Sequence, residues 1–502
     1  MSRSRSGCIT CRNRKRKCDE TRPECDACTA RGVRCEGYKV QLRWGNTVAS
    51  RGRLAGATIP VITSPVGSEA SSQPDSAPTD KSRHNGDPEH PGPRSAAASP
   101  LALTTTELAG GEIRPFEGGL HNPVLEKMFN KFLVIGLRRL YATKSGSWVE
   151  TLIQVLSRDS PALFYVGVAI QMYLDEGLSV SCLEHVEHAL QAFRQELRAR
   201  SQTLAAATMG AGLLICSLYL LQGRPWTMLL QLMTELYHLD GDLSQLHPDP
   251  QYNLPVQHQL EVLAIMDMPS FVIGRVNPSI GLWRRFREAQ TRWDQGKLRG
   301  VELVSGLPRS LLDIFAHITD DDRELETELW QWPGEIGEFL QCQLWECYRF
   351  AGVLRVRRRR LQEQSSQVYQ AGQHPRLAAI SNDQARYPAT HYTDELVLCR
   401  LFSCMEALCY GMQRPECEPL LVFNAILYPL VEASLQVCLL RRHPEWVEVL
   451  KRVRNQFVTK QSSVMQVIHV LFSILDDAWI SGVDGYDLEA AARHKGVEIA
   501  IF

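Results

Sequence analysis

From about residue 115 to 502, apolar side chains return every three or four positions. Leu125, Met128, Phe129, Phe132 and Leu133 form one such series, and Leu190, Phe193 and Leu197 another. That period is the mark of amphipathic α-helices. Further helices are predicted over 160–176, 203–222, 225–239, 257–273, 335–364, 393–412, 419–440, 444–459 and 461–481. Breaker clusters such as Gly223-Arg224-Pro225 and Pro248-Asp249-Pro250 separate them. Strand-like alternation is nearly absent, so the predicted body, 115–502, is a large all-α domain.

The pattern stops upstream. Between Trp44 and Phe116 there is no aromatic residue, and Ser, Pro, Gly, Ala and Thr dominate. Such a stretch buries too little apolar surface to offset the entropy of ordering, and residues 46–114 are expected to be a disordered linker. Residues 1–45 are different again, being rich in Cys, Arg and Lys.

The first six of the chain's fifteen cysteines are Cys8, Cys11, Cys18, Cys25, Cys28 and Cys35, giving C-x2-C-x6-C-x6-C-x2-C-x6-C. The spacing repeats internally, so each C-x2-C-x6-C half can place its C-x2-C pair at the opening of a short helix, with the third cysteine returning from the loop. No apolar leader precedes them and no run reaches the length of a membrane span, which points to a reducing compartment and to metal binding rather than disulfides. Two separate tetrahedral zinc sites need eight ligands; six thiolates suffice for two Zn²⁺ ions only if two sulfurs bridge both metals.

Charge sharpens the reading. Residues 1–45 carry twelve Lys/Arg against five acids, +7, while the whole chain has a net charge of −1, leaving −8 on the remaining 457 residues. A basic end on an acidic body is the electrostatic footprint of a nucleic-acid-binding head. The run Arg12-Asn13-Arg14-Lys15-Arg16-Lys17 between Cys11 and Cys18 fits a basic helix that a major groove can admit.

The six-cysteine segment resembles the fungal Zn2Cys6 binuclear-cluster DNA-binding domain. In that family the first and fourth cysteines bridge. The resemblance therefore implies that Cys8 and Cys25 bridge, with Cys11 and Cys18 completing one site and Cys28 and Cys35 the other. It also implies that Arg14 and Lys15 approach base edges, that Arg12, Arg16 and Lys17 hold phosphates, and that CGG-type triplets are read. Pro23 sits where the family commonly turns the chain between halves. The stretch Gly37 to Trp44 is similar to an extension found in a subset of these regulators, among them the fungal arginine-metabolism regulator. The family often continues into a dimerising coiled coil. Here no a/d heptads follow Cys35, so a homodimer has no coiled-coil signal.

The body resembles the fungal-specific regulatory domain that accompanies such clusters, in Ser160-Pro161-Ala162-Leu163, in the 189–223 segment and in Phe271-Val272-Ile273-Gly274-Arg275. Together these imply a nuclear transcription factor that binds double-stranded DNA, meets the transcription machinery or coregulators, regulates a metabolic pathway or gene cluster from RNA polymerase II promoters, and touches no membrane. No enzyme signature competes. His185-Val186-Glu187-His188 is neither H-E-x-x-H nor H-x-x-E-H and reads as a helix face. Cys342, Cys347, Cys399, Cys404 and Cys409 lack ligand spacing and read as buried small apolar residues. Arg355 to Arg360 reads as the exposed end of a long helix, with a second nuclear-localisation signal as the alternative. Asp320-Asp321-Asp322 and Leu475 to Trp479 read as solvated helix ends rather than coactivator contacts.

Overall fold

A computed structural model of the chain describes residues 8, 10–11, 14, 16–19, 21 and 24–35 of the head, and 122–143, 147–199, 206–239, 241, 250–292, 296–320, 324–370, 393–414, 421–461 and 466–502 of the body. The linker expected over 46–114, the extension Gly37 to Trp44, and Arg12, Lys15, Pro23, Asp321 and Asp322 lie outside the described residues. Head and body fall into two separate units, divided between Arg94 and Ser95.

In the head, helix α1 is a single turn, Asp26–Thr29. The body is predominantly helical. Its first half runs through α2 (Pro123–Lys131), α3 (Ser147–Asp159), α4 (Pro161–Glu176), α5 (Val180–Ala199), α6 (Ala206–Leu221), α7 (Thr227–Leu236) and α8 (Pro250–Met266). The second half adds α9 (Leu282–Gln290), α10 (Arg309–Phe315), α11 (Leu325–Gln331), α12 (Phe339–Gln370), α13 (Asp394–Gly411), α14 (Leu427–Ser434), α15 (Val437–Arg442), α16 (Pro444–Gln461), α17 (Gln466–Ser481) and α18 (Leu488–Lys495). None of the described helices is long and apolar enough to cross a membrane.

Local chemistry explains the boundaries. Ser160 caps α4, its hydroxyl accepting from Leu163 N at 3.1 Å, and Pro161 supplies the first helical position, where a missing N–H costs nothing. The same hydroxyl donates to Glu196, which ties the start of α4 to α5, the helix it packs against most closely. Thr393 caps α13 in the same way through Leu396 N, and α13 lies along α12.

The core centres on aromatic rings. Phe271, Phe315, Tyr348 and Tyr428 are fully buried and meet pairwise with centroids 5.2–5.8 Å apart, mostly edge to face. Each comes from a different part of the chain, so this cluster joins the end of α8 to α10, α12 and α14.

Two predicted helices are corrected. The 257–273 segment ends at Met266, and Val272 and Ile273 instead pair antiparallel with Ala500 and Ile499. Pro269 cannot continue the helical hydrogen bonds, and Gly274 takes φ +76° where a Cβ would lie 2.4 Å from Val497 O. The 419–440 segment divides into a 3₁₀ turn, α14 and α15.

The Arg355–Arg360 run is corrected as well. It lies within α12, not at an exposed end. Arg358 is buried against Glu432 at 2.7 Å, Arg357 and Arg360 both meet Glu326 at 2.6 and 2.8 Å, and Arg359 meets Glu363 at 2.6 Å. The arginines cross-link helices. The cysteines are mixed rather than uniformly buried: Cys347 and Cys409 are buried, Cys342 and Cys404 half-buried, and Cys399 exposed. Asp320, in the turn after α10, pairs with Arg284. Leu475 to Trp479 is not a helix end: it lies within α17, with Leu475 and Ala478 buried and Asp476 paired with Arg454 on the outer face.

Candidate metal-thiolate head

Each half of the head winds one helical turn that begins inside its C-x2-C pair and carries the second cysteine of that pair. In the first half Arg14 N donates to Thr10 O and Arg16 N to Cys11 O. In the second, Ala30 N donates to Asp26 O and Val33 N to Cys28 O. Arg16 and Val33 stand five residues after Cys11 and Cys28, so the sequence repeat is also a repeat of backbone hydrogen bonds.

These turns bring six thiols together. Cys8, Cys25 and Cys28 are all but fully buried, and Cys11, Cys18 and Cys35 lie within a tenth of full burial. The Cys8 and Cys25 sulfurs are 3.5 Å apart, and Cys8–Cys28, Cys11–Cys25 and Cys11–Cys28 are each 3.7 Å. A tetrahedron with zinc–sulfur arms of about 2.3 Å has edges of about 3.8 Å, so the Cys8–Cys25, Cys8–Cys28 and Cys11–Cys25 spacings suit coordination of a common ion. Two quartets have all four sulfurs within 4.8 Å of one another: Cys8, Cys11, Cys18 and Cys25, and Cys8, Cys25, Cys28 and Cys35. Both contain Cys8 and Cys25. Among the described residues no other His, Cys, Asp or Glu group is spaced to hold a metal, and His185 instead turns its Nδ1 to Ser181 O, on the face of α5.

Without a cation, the electrostatics of the cage favour neutral thiols. Burial pushes the thiols of Cys8, Cys11, Cys25 and Cys28 above their ordinary pKa. A bound dication reverses that bias by stabilising thiolate. Backbone donors are already placed for the charged form: Cys11 N points to Cys8 Sγ and Cys8 N to Cys18 Sγ, both at 3.3 Å.

One residue of the head carries no signal in the spacing. Cys25, at the N-cap of α1, makes no side-chain cap. Asp19 does this instead, accepting from Asp26 N and Ala27 N at 2.8 Å each and from the Thr21 hydroxyl. Those bonds, led by the one from Thr21, hold its carboxyl well below the usual range. Local capping works over two or three residues, whereas Asp19 reaches seven and eight, so the capping pattern of the sequence could not reveal it. Thr10 closes the two halves by donating to Arg34 O. Arg14, Arg16 and Lys17 are exposed.

A buried six-thiol cage with an edge common to two quartets defines a binuclear metal-thiolate protein. The fungal Zn(2)-Cys(6) binuclear cluster domain matches residues 6–45, and the fungal specific transcription factor domain matches residues 138–405, more than half of the chain. The chain belongs to the fungal Zn2Cys6 transcription factors, DNA-binding regulators whose cluster binds two zinc ions. Its six clustered thiols fit that content.

The chain is similar to a transcription factor of Diaporthe leptostromiformis, 52% identical over 42 residues, 8% of this chain and 7% of that one. It is similar to the aspercryptin biosynthesis cluster-specific transcription regulator of Emericella nidulans, 61% identical over 38 residues, 8% and 6%. It is also similar to the arginine metabolism regulation protein II of Saccharomyces cerevisiae, 49% identical over 39 residues, 8% and 4%. These matches span less than a tenth of each relative's length. No solved structure matches.

Proposed function

We propose that this regulator acts in the nucleus on RNA polymerase II promoters, reads CGG-type triplets in the major groove, and controls a metabolic pathway or gene cluster through coregulators. The observation that carries the reading is the pair of thiol quartets sharing Cys8 and Cys25, in the same small unit as exposed Arg14, Arg16 and Lys17. Cys8 and Cys25 bridge the two zinc ions. Cys11 and Cys18 complete one site, Cys28 and Cys35 the other. Arg14 and Lys15 donate to guanine edges, while Arg12, Arg16 and Lys17 neutralise phosphates. Residues 1–45 form the DNA-binding domain, 46–114 a linker and 115–502 the regulatory domain. That relatives include a biosynthesis-cluster regulator and a metabolic regulator supports the choice of target class.

Binding isotherms on CGG-containing and scrambled duplexes at several salt concentrations test the division of labour. Lys15→Ala loses about 1–3 kcal/mol on the matched duplex and little on the scrambled one. Arg12→Ala weakens both alike and flattens the salt dependence by about one unit of slope. Equal losses for Lys15→Ala on both duplexes move that side chain to the phosphate group, and no preference for CGG in the unmodified chain overturns the triplet reading.

A further inference from the structure

In the body, α3, α6, α8, α16, α17 and the C-terminal residues line a partly open cavity of about 130 Å³. Its wall is hydrocarbon over most of its extent, with Ile153 (α3), Leu214 (α6), Val262 (α8), Phe457 (α16) and Ile468 (α17) from five helices. Six polar residues reach it, and their hydrogen bonds decide what it can take.

Five are engaged with the protein. Ser217 Oγ donates to Leu213 O at 2.9 Å. Asn424 Nδ2 donates to Arg138 O and Tyr141 O at 2.9 and 2.7 Å. The Tyr141 hydroxyl meets His258 Nε2 at 2.9 Å, and burial pushes the His258 pKa down to about 4, so this part of the wall is uncharged at neutral pH. Arg139 is half-buried and has an interaction of its own.

Gln259 differs. Its Nε2 donates to Ala206 O at 2.8 Å, which fixes the amide orientation, and its Oε1 is buried without a hydrogen-bond partner. Gln259 as a whole is only 4% exposed. The residue facing it is Gly210, where a Cβ would stand 3.0 Å from Gln259 Nε2. A buried acceptor left unpaired on a cavity-lining residue is costly, and a bound donor removes that cost. An engineered apolar cavity of roughly this size, about 150 Å³, takes a single benzene ring.

We propose that this cavity is a binding site for a compact, uncharged, largely apolar molecule of about one ring that carries a hydroxyl or N–H donor to Gln259 Oε1. The volume excludes a peptide, and the hydrocarbon wall with its engaged polar groups disfavours a highly polar metabolite. The site is independent of the DNA reading, since its occupancy is measured without DNA.

The test uses the full zinc-loaded chain and three fluorinated probes followed by ¹⁹F NMR: 4-fluorophenol, 4-fluorotoluene, which has nearly the same shape but no donor, and 4-fluorobenzoate. 4-Fluorophenol should bind saturably, about tenfold more tightly than 4-fluorotoluene, because only it satisfies the buried acceptor. Contacts should appear from the probe to the methyl groups of Ile153 and Val262 in the unmodified protein. In Gln259→Met the preference should reverse, and Leu214→Trp should abolish binding of both by filling the space. If either variant fails to fold, the comparison of probes on the unmodified chain decides alone. No saturable 4-fluorophenol binding up to its solubility limit, equal affinity for phenol and toluene probes, contacts elsewhere than the cavity, or preference for 4-fluorobenzoate each overturns the proposal.

Discussion

Asp19 Oδ1 lies 2.8 Å from the backbone nitrogen of Ala27, eight residues along the chain. With the companion bond to Asp26 N it fastens the exit of the first half of the cage to the entry of the second, at the helix turn that carries Cys28. Asp19→Ala should therefore loosen zinc without touching a ligand. The concentration of chelator that removes zinc should fall, and Asp19→Asn, which keeps one acceptor oxygen, should lie between the variant and the parent. Unchanged zinc retention in Asp19→Ala would leave the fastening without consequence.

The shared quartet edge gives a stoichiometric prediction. If Cys8 serves both ions, Cys8→Ser should release both, whereas Cys35→Ser, in one quartet alone, should retain one. Native mass spectrometry counts them. One retained zinc in both variants would fit two unshared sites.

In the body, Glu498 is fully buried and accepts from Trp226 N, Thr227 N, the Thr227 hydroxyl and Val276 N at 2.5–2.8 Å. It supplies the N-terminal cap of α7 from the far end of the chain. Glu498→Ala strands three backbone donors and should cost about 3–5 kcal/mol, read from urea unfolding. A loss below about 1 kcal/mol would show that water replaces the carboxylate.

Arg358 and Glu432 form a buried pair, with Arg355 a further 3.8 Å contact to the same carboxylate. Breaking it with Glu432→Ala leaves an arginine buried without its counter-charge and should cost about 3–5 kcal/mol. The double change Arg358→Met with Glu432→Leu should cost less than the single one, because neither charge then remains. Chemical denaturation of the three proteins distinguishes this from a simple loss of packing, for which the double change costs more.

His258 makes stability pH-dependent. Burial, helped by the positive Arg309, lowers its pKa from the ordinary 6.5 to about 4. Above 6.5 the ring is neutral in both folded and unfolded chains. As pH falls through that window the unfolded chain takes up a proton that the folded one refuses, so stability declines, by about 3 kcal/mol for this group once pH is below about 4. Between neutral pH and that limit His258→Gln should lose less stability than the parent; parallel losses would remove His258 as the cause.

Two features were legible in the chain because their physics is local. Six cysteines in a repeated spacing dictate a cage whatever surrounds it, and apolar residues at three- and four-residue intervals dictate helices such as Pro161–Glu176 and Asp394–Gly411. The rest depended on partners far apart in sequence. Whether Arg358 faced solvent depended on Glu432, 74 positions away, and the start of α7 was capped by a carboxylate more than 270 residues downstream. The 257–273 run has the composition of a helix, yet its last residues became a strand because Ile499 and Ala500 lay within reach to pair with them. Asp19 and Gln259 carry no pattern at all. A periodic sequence specifies the surface an element presents, whereas burial and hydrogen-bond completion depend on what that surface meets, and only the tertiary structure decides that.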